Sequence, residues 1–188
     1  MTKSKKIFTV ILSFLAAVCF ALGISATGAK QAAADTATVL TQADVANFKT
    51  LLNGSTGSFV LGEDLDFGNT QTEDLIDFAG TLDGDGYSIK NLRIQYNDRT
   101  SWSSYYFKNL TGTIKNIGFE YSIWPNSDDT GLILKNNGTV SNVFVKATVQ
   151  SDGKFRFGPI AKENYGTVEN CVVEIAKGEG VTLSDNSL

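Results

Sequence analysis

The sequence predicts an all-β fold: a short right-handed parallel β-helix, a single-stranded solenoid of four to five coils with an N-terminal capping helix. Three observations predict it. Ile89-Lys90-Asn91-Leu92 returns as Ile114-Lys115-Asn116-Ile117, Val140-Ser141-Asn142-Val143 and Val168-Glu169-Asn170-Cys171, at spacings of 25, 26 and 28 residues. One unit reused at a nearly constant period is how a solenoid is built, each unit stacking on the last. A Gly-Thr pair precedes each of the last three copies. Apolar residues also alternate with period two on both sides of the Asn and shift by one at the Asn itself, which reads as strand, corner, strand. A unit of this length is too long for a hexapeptide left-handed helix and too rich in strand for a leucine-rich repeat. Parallel crossovers are right-handed as a rule.

The elements follow in order. Lys3, Lys5 and Lys6 head an apolar run from Ile7 to Ala26, and small residues crowd Ala26 to Ala34. Basic head, apolar middle and small-residue exit predict a secretory signal peptide over 1–34, removed before the mature protein acts. Residues 35–58 are expected to form a linker and the capping helix. Thr41 is its N-cap candidate with Asp44 three residues on, and Val45, Phe48, Leu51 and Leu52 supply one apolar face. Such a helix would lid the first coil, whose interior would otherwise meet water. Residues 59–188 are expected to be the β-helix domain. Phe59-Val60-Leu61 and Leu65-Asp66-Phe67 are its first strands, with Leu65 opposite Leu92 by repeat length. Tyr106-Phe107, Leu132-Ile133-Leu134 and Phe157 to Ala161 supply a second face of each coil. Length variation falls at 95–105, 122–130 and 148–156, which marks projecting loops. Val181 to Leu183 reads as a last edge strand or as part of an uncovered coil, which invites a second chain. A homodimer through the C-terminal coil is therefore one expected partner arrangement.

Loss of residues 1–34 removes four lysines and no acidic residue, leaving 12 basic against 20 acidic residues. A surface this negative repels phosphate backbones, so nucleic acid is excluded as a partner. Once the signal is gone, no membrane partner is expected either. One cysteine, Cys171, remains after that cleavage, so stability must come from packing rather than an internal disulfide.

In the expected stack Asn91, Asn116, Asn142 and Asn170 form a structural ladder. Asn at a bend tolerates a left-handed conformation and bonds local backbone, and stacked copies can bond one another. Phe78 through Leu92, with Gly80-Thr81-Leu82-Asp83-Gly84-Asp85-Gly86 at its centre, resembles the opening of pectate-lyase-like β-helices on bacterial surfaces. Gly131-Leu132-Ile133 through Val143, and Gly158-Pro159-Ile160 through Cys171, are similar to the GLUG repeats of bacterial secreted and surface proteins. The resemblance covers about residues 40–175 and implies the β-helix fold with a structural or adhesive role. This chain departs from the usual pattern at Leu134 and Pro159.

Candidate site residues come in two groups. Tyr96, Trp102, Tyr105, Tyr121 and Trp124 lie at equivalent places on adjacent coils. If exposed, they would stack on sugar rings or form the hot spot of a protein interface; if folded back, they would shield a sheet. Asp83 and Asp85, in alternation with glycine, have the chemistry of a calcium loop, although a glycine-rich corner explains the same residues. Calcium is the one cofactor with any candidate ligands. No catalytic residue is assigned. Asp64, Asp66, Asp83, Asp85, Glu120 and Lys115 are the groups a polysaccharide lyase or hydrolase would draw on, but histidine is absent and few coils make a short groove. The expected function is a secreted or cell-surface module, possible envelope-associated, for binding or adhesion to glycan or protein. The alternatives are a passive structural domain and, behind it, an enzyme.

Overall fold

The computed structural model describes residues 36–72, 75–95, 103–124, 129–150 and 156–181. The expected signal peptide, Tyr96, Trp102 and residues 182–183 of the expected last strand lie outside them. Asp35–Leu188 is one compact unit, a β-solenoid of about four turns with one short helix at its N-terminal side.

The chain opens with β1 (Thr38–Leu40), then a 3-10 turn (Gln42–Asn47) that runs into α1 (Phe48–Leu52). Short strands follow: β2 (Ser58–Leu61), β3 (Leu65–Asp66), β4 (Gln71–Thr72), β5 (Ile76–Phe78) and β6 (Thr81–Asp83). Longer ones come next: β7 (Ser88–Ile94), β8 (Ser103–Leu110), β9 (Thr113–Ile123), β10 (Asp129–Asn136) and β11 (Thr139–Val149). The last are β12 (Arg156–Asn164), β13 (Thr167–Glu169) and β14 (Val172–Lys177).

Every strand pairing among the described residues is parallel. The larger sheet has two limbs. One runs β1-β2-β6-β9-β11-β13; the other joins β3 and β4 to β7, β7 to the second half of β9, and the second half of β11 to β14. The limbs meet where Asn116 and Asn142 interrupt β9 and β11 with φ of 52° and 53°. A smaller sheet in the order β12-β10-β8-β5 closes the coil. Columns of like residues fill the interior: Phe59, Leu82, Ile114 and Val140 are successive partners on the first limb, and Leu65, Ile89, Phe119 and Val145 on the second. All eight are buried. At about 1.5–3 kcal/mol per buried side chain, these columns carry most of the stability a chain without disulfides has available.

The helix closes the first coil as its pattern requires. Phe48 and Leu52 are fully buried, and the Phe48 ring meets Phe67 edge-on at 5.4 Å and stacks on Tyr106 at 6.3 Å. At the start of the 3-10 turn the Asp44 carboxylate accepts from the Thr41 N–H at 2.9 Å and the Thr41 hydroxyl at 3.0 Å. The Gln42 side-chain amide imitates a strand. Its Nε2 donates to the Asp66 carbonyl and its Oε1 accepts from the Asp66 N–H, both at 2.7 Å. The stretch before the helix is not the expected linker, since β1 pairs with β2 in register from Thr38↔Phe59 to Leu40↔Leu61.

The repeat register needs a second correction. Ile114 pairs below with Leu82, not Ile89, so the first copy of the unit is Gly80-Thr81-Leu82-Asp83. Ile89 opposes Phe119 on the other limb, and the register shifts between Ile89 and Leu92. Leu65 accordingly opposes Ile89 rather than Leu92. Gly84-Asp85-Gly86-Tyr87 is an added turn in this coil, with Asp85 at φ 49°, and it displaces everything after it. The Gly-Thr pairs mark the true column. A Cβ on Gly112 would lie 2.0 Å from the Gly80 carbonyl oxygen, one on Gly138 2.0 Å from that of Gly112, and one on Gly166 2.1 Å from that of Gly138. The threonine after each glycine donates its N–H to the glycine one coil below. Only glycine permits this backbone-on-backbone approach.

Candidate functional site

The second limb of the large sheet carries a shallow depression of about 180 Å³ on its outer side. Its lining comes from four successive elements: Asn69 after β3, Asn91 on β7, Glu120, Tyr121 and Ser122 on β9, and Lys146 and Thr148 on β11. The strand pleat dictates this set. Inward residues Phe119 and Ile123 are buried, and the polar residues between them face out. Glu120 is paired with Lys146, Lys146 with Glu174, and Asp66 with Lys90, so charge alternates in sign up the row and no like charges stack. Arg93 is the strand partner of Ser122, and its guanidinium lies 4.2 Å from the centroid of the half-buried Trp124 ring. Arg93 also donates to Gln95 Oε1 at 3.0 Å through Nε.

The expected aromatic set does not form one surface. Trp124 is half-buried against Arg93, while Tyr105 and Tyr121 are each 3% exposed and do not present rings to a ligand. Tyr121 occupies an inward column with Leu92 below and Ala147 above, and its hydroxyl crosses the coil to donate to the Pro159 carbonyl at 2.7 Å. Small Ala147 above it leaves the ring its space. Burial holds the Tyr121 hydroxyl well above the usual tyrosine range, and Tyr105 is raised by burial and by the nearby Asp129. Tyr105 lies against Gly131, where an added Cβ would come within 3.2 Å of its ring. Both rings are shields rather than platforms.

Asp83 serves the corner. Its Oδ1 accepts from the Asp85 N–H and from Asn116 Nδ2, each at 3.0 Å, and its Oδ2 pairs with Lys115 at 3.0 Å. These bonds engage both carboxylate oxygens of Asp83. Among the described residues no group of three or more His, Cys, Asp or Glu is placed to hold a metal. Asn142 Nδ2 donates to Asn116 Oδ1 at 3.0 Å, so the ladder runs Asp83, Asn116, Asn142. Asn170, at φ 52°, stands above Asn142 between paired flanks. Asn91 leaves this ladder for one of its own and donates to Asp66 Oδ1 at 2.9 Å.

Asp64 and Asp66, also on the catalytic shortlist, are similarly engaged. Asp64 accepts from Lys90 at 2.6 Å and from the Ser88 N–H at 2.8 Å, and these bonds hold its pKa below the usual value. Asp66 is lowered by its bonds from Asn91 and the Gly68 N–H. At Asp83 partial burial opposes ionisation, but bonds from Asp85, Asn116 and Lys115 outweigh it. A general acid for glycoside cleavage needs the opposite shift, so none of the three is poised as that acid.

Sequence reasoning missed two features. Glu120, Lys146 and Thr148 join the depression, and Arg93 comes beside its Ser122, only once the register is known. Asp129, buried at the start of β10, is held by Arg156 Nε at 2.7 Å and by Lys162. These partners sit on β12 and flank a variable loop, and nothing in the local pattern announced them. A second depression, about 380 Å³, lies between Gly54, Asp77, Ala79, Asn109, Thr111 and Asn137. Its Asp77 already accepts from Asn109, and no aromatic face borders it except the buried Phe78.

No protein-family model matches the chain, and no solved structure matches it. A stretch of 78 residues, 41% of this chain, is 33% identical to part of halomucin from Haloquadratum walsbyi. The chain spans about 1% of that protein's length.

Proposed function

We propose that the chain is an extracellular or envelope-associated binding module that holds a hydroxyl-rich ligand, a glycan, on the second limb of its large sheet. The observation that carries this reading is the depression lined by amide, carboxylate, ammonium and hydroxyl groups, with the Arg93–Trp124 pair next to its Ser122. Such a mixture of donors and acceptors around an aromatic edge suits sugar hydroxyls and C–H faces. Alternating charge leaves the row without a strong field, which suits a neutral ligand better than a polyanion. Likeness to a stretch of halomucin is compatible with an extracellular or envelope setting. The pectate-lyase-like and GLUG-type assignment of the repeats rests on the same footing: the glycine column and Asn corners support it.

The test is a neutral-glycan array followed by titration of a hit against Trp124→Ala and Lys146→Ala. Loss of the Trp124 contact is expected to weaken binding about fivefold, consistent with about 1 kcal/mol for an aromatic contact. Absence of any hit, or hits indifferent to both substitutions, rejects the reading. A passive structural role is the second reading, favoured by one observation: Tyr105 and Tyr121 are spent on the interior.

A further inference from the structure

Phe144 turns a large apolar side chain to solvent from the middle of a strand. Buried Val143 and Val145 flank it on β11, and it is 40% exposed. The strand pleat puts it on the same outer face as Lys146 and Thr148, two of the groups that line the first depression. The ring has no packing duty among the described residues. Phe144 is the partner of Gly118, but an atom added to Gly118 would meet Ser88 first, so Ser88 rather than the ring covers that glycine. The ring packs neither against the core cluster nor against another aromatic ring.

The Arg93–Trp124 pair lies at the other end of this face. On β9 the outward positions run Gly118, Glu120 and Ser122, and Trp124 comes next in the pleat after buried Ile123. Phe144 stands level with Gly118, so the two aromatics occupy adjacent strands and are offset by the six positions from Gly118 to Trp124. That offset is about 20 Å at roughly 3.3 Å per residue. Glu120, Ser122, Lys146 and Thr148, four of the lining groups, fall between them.

We propose that this site takes a linear, extended, neutral oligosaccharide laid along β9 and β11, with Phe144 holding the end remote from Trp124. The inference rests on the glycan reading above and adds to it the length and direction of the ligand. A phenyl ring has no hydrogen-bonding atom, so it meets the C–H face of a sugar ring, while the carboxylate, ammonium and hydroxyl groups between the aromatics take the sugar hydroxyls. A disaccharide reaches one aromatic only, whereas a span of about 20 Å calls for about four rings in an extended chain. Equatorial β-linkages, as in the cello series, give that straight form and match a straight row of groups. The α-linkages of the malto series coil the chain away from it.

Titration calorimetry with cello-oligosaccharides from disaccharide to hexasaccharide tests the proposal. Affinity should rise about fivefold between disaccharide and tetrasaccharide, as a second aromatic is reached, and then level off. Phe144→Ala should abolish that rise, Phe144→Trp should keep it, and the β circular dichroism should be unchanged in both, since the side chain faces outward. The malto series should show no rise with length. Equal affinity for disaccharide and hexasaccharide, or a length dependence that survives Phe144→Ala while Trp124→Ala still weakens binding, overturns this inference and leaves the glycan reading standing. So does failure of the cello series while the array gives other hits. No hit in either experiment rejects both.

Discussion

Asn116 and Asn142 each solve two problems with one side chain. The corner needs a left-handed residue, φ 52° and 53°, which asparagine adopts more cheaply than other side chains. Each amide then donates to the coil below, and that of Asn116 also accepts from Asn142 in the coil above. Asn142→Ala loses both, and a cost of about 2 kcal/mol is expected in urea unfolding. Asn142→Gly restores the backbone freedom but not the bond and should fall between alanine and wild type. Asn91→Ala should follow a different partner: its loss should shrink to the backbone part, φ 53°, in an Asp66→Ala background, whereas that of Asn142→Ala should not change. Carboxylates give this network its pH dependence. Asp64, Asp66 and Asp83 have folded pKa values below 3.8, so their contribution is complete above the unfolded value and is lost as pH falls through the folded one. Melting temperature should hold from neutrality to about pH 5 and decline below pH 4. Asp64→Asn combined with Asp83→Asn should flatten that decline, and an unchanged slope would remove these residues from the account.

At the level of the element, the corner glycines set how closely coils approach. Gly138→Ala places a Cβ 2.0 Å from the Gly112 carbonyl oxygen, which the stack can relieve only by parting two coils. Gly86→Ala, at φ 89° with nothing within 4 Å, meets only the backbone penalty. The first should cost about 3 kcal/mol or prevent folding and the second about 1 kcal/mol, as thermal unfolding of the two variants would measure. Near equality would mean that the columns are looser than described. The same glycines explain what was legible in the chain. Strand, corner and strand followed from period-two alternation, and α1 from its cap and apolar face. The register of the first unit was misread because Ile89-Lys90-Asn91-Leu92 copies the motif in letters while lacking the Gly-Thr that the close approach requires. Gly80-Thr81 carried that signal one turn earlier, ahead of an inserted loop.

Across the whole molecule, an acidic chain without disulfides is held by continuous apolar columns, and its surface follows from where those columns stop. The site was less legible than the fold for this reason. Tyr121 and Trp124 look alike in the sequence, yet Tyr121 falls in an inward column and Trp124 lies beyond the end of β9. Exposure was decided by register, and the local pattern held no mark of it. Arg93, Glu120 and Lys146 are neighbours only because three coils align. The central claim is that alignment, and nuclear Overhauser contacts between strands test it most directly. Parallel stacking predicts that Ile117, Phe119 and Ile123 meet Val143, Val145 and Val149 in the same order along both strands, with Val145 in turn meeting Val173. Contacts that ascend one strand while descending the other would make the pairs antiparallel hairpins, and the solenoid and its depression would both be contradicted.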